Sequence, residues 1–231
     1  MRTRGLRAQQ NDSFWGARFD EDTKMKIKKE KLIDAIVQIS NSGGRGVLVG
    51  EIILTGAHCI KFSTEGEMVL GDFFIEEIET RSGQRLKVRP LAVEPVADIA
   101  VLGCLDSQEF GKEAEAFENF CQTTMPMPIA RGRIRCRHAF PVRVLNADGQ
   151  WVSGNAELFD NSSPYIWIEA DEEIKGGASG GPVLNRRGEL VAIVSNASVP
   201  VPDVKSTGHC PRPLKALPQW VCDKFLPQRA H

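Results

Sequence analysis

From Ile36 onward the chain alternates short apolar runs with glycine, serine and charged breaks. AIVQIS, GVLVG, EIILT, MVL, FFIEEIET and RLKVRPLAV form one series; PVRVLNADGQWVSG, YIWIEA and PVLNRRGELVAIVS form a second. Apolar, β-branched runs of about four to eight residues bounded by turn formers predict strands, and so many short ones predict an all-β sandwich or barrel. Asp148-Gly149, between RVLN and QWVS, predicts a hairpin, and Asn185 to Gly188 predicts another between PVL and ELVAIV. Residues 105–128 separate the series. They are polar and lack strand texture, which predicts a linker with a short helix near Lys112 to Phe120. Ahead of the first series, a tail gives way at 20–33 to DEDTKMKIKKEKLI, acids first and lysines later, an order that suits the dipole of a solvated helix. At the other end Leu217, Trp220, Val221 and Phe225 fall at helical spacing and predict a closing helix. The expected layout is a tail and helix over 1–32, a first β unit over 33–110, a linker over 111–128, and a second β unit with its closing helix over 129–231.

Composition narrows the picture. The chain has 231 residues, enough for one large β unit or two small barrels. With 42% hydrophobic and 26% charged residues it can bury a core, which excludes wholesale disorder. A net charge of −1 gives no global field to recruit nucleic acid or a membrane surface. No run approaches the roughly 20 apolar residues of a membrane-spanning helix. The basic amino-terminal residues have no apolar run behind them, so no secretory signal is expected. The six cysteines are scattered without a Cys-x-x-Cys, and a close Cys/His pair such as Cys136 with His138 is far short of a zinc set. Reduced thiols in a cytoplasmic protein are the expectation, with a mature secreted form as the alternative. No metal or cofactor is expected.

The candidate chemistry lies in three stretches. IKGGASGGPVLN, residues 174–185, gathers glycines around Ser179, where the main chain must come near something. Serine needs a base to become a nucleophile, and the base needs an orienting group. His58, in ILTGAHCI, stands at the end of an apolar run. Asp98, in PVADIAVL, is flanked by Ala97 and Ile99, which predicts a buried carboxylate that needs a partner such as a histidine N–H. His138 reads as an ordinary satisfied or exposed histidine and His209 as a loop residue.

In that order, ILTGAHC, ADIAVL and GGASGGPV resemble the three catalytic blocks of the chymotrypsin-like, trypsin-fold serine peptidases. The resemblance covers roughly residues 33–226. It is closest to the HtrA/Deg-type branch, through GVLVGEIILTGAHCI, VEPVADIAVLG and IEADEEIKGGASGGPVLNRRGELVAIVS. The PDZ module common there is not expected here. The resemblance implies two six-stranded antiparallel Greek-key barrels, with an N-terminal and a C-terminal helix. It implies a serine endopeptidase with Ser179 as nucleophile, His58 as general base and then acid, and Asp98 holding the imidazole. The N–H groups of Gly177 and Ser179 would form the oxyanion hole. Ser195 would brace the aspartate, and Ser195, Asn196 and Ala197 would line the substrate, an extended strand of protein or peptide. A homo-oligomer built through residues 1–32 is a further possibility that the resemblance raises.

The chain departs from that pattern in three ways. No cysteine precedes Cys59, so the bridge that pins the histidine loop in secreted members cannot form, and Cys59 is expected as a buried thiol beside the base. Position 178 is alanine where zymogen members carry an aspartate, so activation by N-terminal cleavage is not expected. Glu173, six residues before Ser179, matches the acid that selects basic side chains in trypsin-type members. Yet Asp171, Glu172 and Glu173 also read as a solvated acidic turn, with Lys175 able to neutralise Glu173. The side-chain preference stays open. Two rival readings are an α/β-hydrolase using G-x-S-x-G with Asp203 and His209, and a trypsin-fold scaffold that holds peptides without turnover.

Overall fold

The computed structural model describes residues 32–61, 75–95, 97–130, 138–158, 166–195 and, by their backbone, 212–213. The expected N-terminal and C-terminal helices and the MVL run lie outside these residues. The first apolar series folds as β1 (Ile36–Ile39), β2 (Arg45–Val49), β3 (Ile52–Thr55), β4 (Glu76–Glu79), β5 (Arg85–Glu94) and β6 (Ile99–Gly103). These strands pair antiparallel in the order β1-β2-β3-β6-β5-β4 and close into a barrel. The closing pair is β1 with β4, where Gln38 faces Glu79 and Ile39 faces Ile78.

Burial explains the strand textures. β3 and β6 are buried at every position, so they read as continuous apolar runs. β5 alternates at its start and carries Pro90, which cannot donate to a ladder. The register of β5 against β6 shifts between Pro90 and Ala92, as a bulge allows.

The second series forms β7 (Phe140–Leu145), β8 (Trp151–Leu158), β9 (Ile166–Ala170), β10 (Pro182–Asn185), β11 (Leu190–Ile193) and β12 (Arg212–Pro213). Their order is β12-β11-β10-β7-β8-β9. That is the cyclic order of the first barrel repeated, with the ring open between β9 and β12. Among the described residues the second expected barrel is therefore a six-stranded sheet with two free edges. The all-β, two-unit architecture holds. Leu145, Leu184, Leu190 and Ile193 of the second sheet join the core of the first barrel, while Val142, Val144, Ala156, Ile166, Val183 and Val194 belong to a core of their own.

The stretch between the units differs from a loose linker. A 13-residue helix, α1 (Gly111–Thr123), buries Ala114, Phe117 and Phe120 and packs against β5. Its remaining residues are mostly charged or polar helix formers, so composition hid a helix half again as long as expected. Beyond it, the Met127 N–H donates to the Leu48 carbonyl of β2 at 2.8 Å, and the Leu190 N–H of β11 donates to the Pro128 carbonyl at 2.7 Å. The connection is thus laced to both β units.

Candidate active site

His58 occupies a single 3-10 turn, Ala57–Cys59, directly after β3. Ala57 and Cys59 are buried on either side of it, which leaves the imidazole at the barrel rim with its side chain 27% exposed. Asp98, 7% exposed, sits in the turn that enters β6. Its backbone is left-handed, with φ +54°, a region that aspartate tolerates better than most residues. Held there, the carboxylate faces the histidine turn. Both its oxygens lie 2.9 Å from His58 Nδ1, and Oδ1 also accepts the His58 main-chain N–H at 3.1 Å. Ser195, 2% exposed and just past β11, donates its hydroxyl to Oδ2. A side chain of the second sheet thus completes a cluster begun in the first barrel.

The loop between β9 and β10 carries Ser179. Its carbonyl accepts the Arg45 N–H of β2 at 2.7 Å, and the Gly180 N–H donates to the Val194 carbonyl at 2.7 Å. These bonds lodge the Ser179 backbone between the barrel and the residue that precedes Ser195. Gly177 has φ +92°, which only glycine adopts without strain. Among the described residues, neither the Gly177 nor the Ser179 N–H has an acceptor, and the Ser179 hydroxyl makes no hydrogen bond. His58 Nε2 instead lies 3.5 Å from Cys59 Sγ.

The electrostatics follow from these contacts. The His58 pKa is raised to about 10, first by the hydrogen bond to Asp98 and second by the contact with Cys59, against the opposing effect of burial. Burial alone would raise the Asp98 carboxyl. Hydrogen bonds from the His58 ring, Ser195 and the His58 main chain outweigh burial and hold it below its usual range.

A family model described as a trypsin-like peptidase domain matches residues 39–193, most of the chain and all three stretches discussed. The chain belongs to the trypsin-like peptidase domain family. A crystal structure of the serine endoprotease from Yersinia pestis shares the fold with a TM-score of 0.59 at 18% sequence identity, over 87% of this chain and 66% of that one. Comparison with curated proteins gives no match.

Other features of this trypsin-like domain bear on the remaining expectations. Pro182 opens strand β10 rather than a helix, so the α/β-hydrolase elbow is not formed. The Asp203 and His209 it would need lie outside the described residues, as do Asn196 and Ala197. Asp171, Glu172, Glu173 and Lys175 are exposed, and no ion pair joins Glu173 to Lys175 among the described residues. Cys59 is a free, buried thiol. His138 is exposed. Among the described residues no group of three His, Cys, Asp or Glu side chains could hold a metal, and no helix is long and apolar enough to cross a membrane.

Two residues beside the site were not singled out by their sequence context. Arg45 precedes an apolar strand, and Asn146 belongs to a hairpin turn. The only signal was a long cation at the head of a strand that is otherwise apolar.

Proposed function

We propose that the chain is a serine endopeptidase. His58 Nε2 takes the hydroxyl proton of Ser179 as its oxygen attacks a peptide carbonyl. Asp98 keeps the other ring nitrogen protonated and balances the imidazolium that forms. The oxyanion is received by the N–H groups of Gly177 and Ser179, each worth about 3 kcal/mol of transition-state stabilisation. His58 then gives its proton to the leaving amine, and the acyl-enzyme ester is hydrolysed by water through the same base. The substrate is an extended stretch of protein laid along residues 195–197 as an added strand.

The observation that carries this reading is the buried Asp98, bonded at once to His58 and to Ser195 from opposite β units. The unpartnered amides on either side of Ala178 support it. The test is covalent labelling with a fluorophosphonate. Labelling of the protein and its loss in Ser179→Ala are expected; an unlabelled protein removes the reading.

One observation favours a second reading, a scaffold that binds peptides without turnover. His58 Nε2 lies 3.5 Å from Cys59 Sγ and the Ser179 hydroxyl has no partner among the described residues, so the candidate nucleophile and base are not hydrogen-bonded to each other. Labelling that stays absent when peptide substrates are added supports the scaffold.

A further inference from the structure

Arg45 and Asn146 form a bridge from the barrel to the loop that carries Ser179. The Arg45 guanidinium reaches across from the head of β2, and its Nη2 donates to the carbonyls of Asn146 at 3.1 Å and Ala147 at 2.6 Å. Asn146, 3% exposed, turns its own amide to the far side. There its Nδ2 donates to the Glu173 carbonyl at 3.1 Å, and its Oδ1 accepts the Lys175 N–H at 3.0 Å. Ala147 backs onto Gly177: a Cβ built at Gly177 would sit 3.3 Å from the Ala147 Cβ. The main-chain N–H of Arg45 meanwhile holds the Ser179 carbonyl. The segment 173–179 is therefore gripped at its start by Asn146, in its middle by Ala147 and at its end by Arg45, and all three grips lead to Arg45, the first two through its guanidinium and the third through its main-chain N–H.

We infer that Arg45 and Asn146 are positioning residues, which orient the amides of Gly177 and Ser179 and make a working oxyanion site depend on the docking of the two β units. The inference rests on the serine-peptidase reading above. One detail argues against a purely structural role. Arg45 Nε is buried and has no hydrogen-bond partner among the described residues, and an orphaned buried donor costs stability. An apolar side chain there would avoid that cost, but could not hold two carbonyls facing the loop.

The test compares second-order rates of fluorophosphonate labelling, and kcat and KM on a peptide library, in wild type, Arg45→Ala and Asn146→Asp. Asn146→Asp keeps the shape and the Oδ1 acceptor but removes the donor to Glu173. Both variants are expected to stay folded by circular dichroism and to label about tenfold slower or worse, with the loss in kcat rather than KM, as for an interaction made only in the transition state. Millimolar guanidinium is expected to restore labelling in Arg45→Ala and not in Asn146→Asp, a readout that a general loss of stability would not produce. Should Arg45→Ala fail to fold, Asn146→Asp carries the comparison. Folded variants that label as fast as a labelled wild type overturn this inference alone. An unlabelled wild type overturns the peptidase reading, and this inference with it.

Discussion

Asp98 shows how much one residue can be asked to hold. Its backbone sits in a left-handed conformation, and it accepts bonds from two parts of His58 and from Ser195. Asp98→Asn keeps the shape but stabilises the wrong imidazole tautomer, so kcat should fall at least about a thousandfold at neutral pH in a steady-state peptidase assay. The pH profile offers a finer check. Because Asp98 and then Cys59 raise the His58 pKa from 6.5 to about 10, and the proposed mechanism uses the neutral ring, kcat/KM should climb well above pH 6.5. Cys59→Ala should move that limb to lower pH; a limb indifferent to the thiol would mean the contact does not exist in solution. Gly180 is a third pressure point. With φ +75° and a would-be Cβ only 2.0 Å from the Arg45 carbonyl oxygen, Gly180→Ala pays about 1–2 kcal/mol for handedness before any clash is counted. Thermal melting and labelling should fall together.

At the scale of elements, turns and a helix decide what the strands alone do not. The turn between β1 and β2 passes so close to the histidine turn that a Cβ at Gly44 would lie 2.6 Å from Cys59 Sγ and 3.1 Å from its Cβ. Bridged cysteines sit with Cβ atoms about 3.8 Å apart, so a small opening suffices. Gly44→Cys should form a disulfide with Cys59 under mild oxidation, seen as the loss of two titratable thiols and two mass units of hydrogen. Thiols that stay reactive would show that the two turns are placed wrongly. Helix α1 makes a complementary case. Phe117 is fully buried in its contact with the barrel, and Phe117→Ala should cost about 3–5 kcal/mol in denaturant unfolding, while the folded fraction keeps its labelling rate. The hairpins at Asp148-Gly149 and Asn185–Gly188 were legible in sequence because turn chemistry is local. The length of α1 was not, since only three of its 13 residues are buried.

Across the whole molecule, the site exists only where the two β units meet, and its protonation is tied to folding. Unfolded, His58 titrates near 6.5; folded, it holds its proton to about 10. The native state binds that proton more tightly, so this contribution to stability is complete below about pH 6.5 and is lost as pH rises toward 10. Asp98, whose folded carboxyl is lowered, contributes above the unfolded value near ~3.9 and loses its part as pH falls. Melting temperatures of wild type and Asp98→Asn should therefore differ most between about pH 4 and 6.5 and draw closer as pH rises toward 10. A gap that widens with pH would contradict the assignment. The two sets of strands share one cyclic order, and the groups of the candidate site are divided evenly between them: His58 and Asp98 come from the first, Ser179 and Ser195 from the second.

By itself the sequence determined the local events. Alternation and β-branched runs placed the strands, Asp148-Gly149 closed a hairpin, and the glycines around Ser179 announced a loop built for close approach. The order of the His58, Asp98 and Ser179 stretches could be read along the chain, because each is a short contiguous pattern. Only the tertiary structure decided that β1 pairs with β4 and that Arg45 holds a turn 101 residues away, while the contact of Ser195 with Asp98 across 97 residues was named in advance by the family resemblance and not by any local pattern. Such contacts have no period and no flanking signature. A polar group buried by the fold takes the partner that the packed backbone brings within reach, and that choice is made in space after the strands have closed.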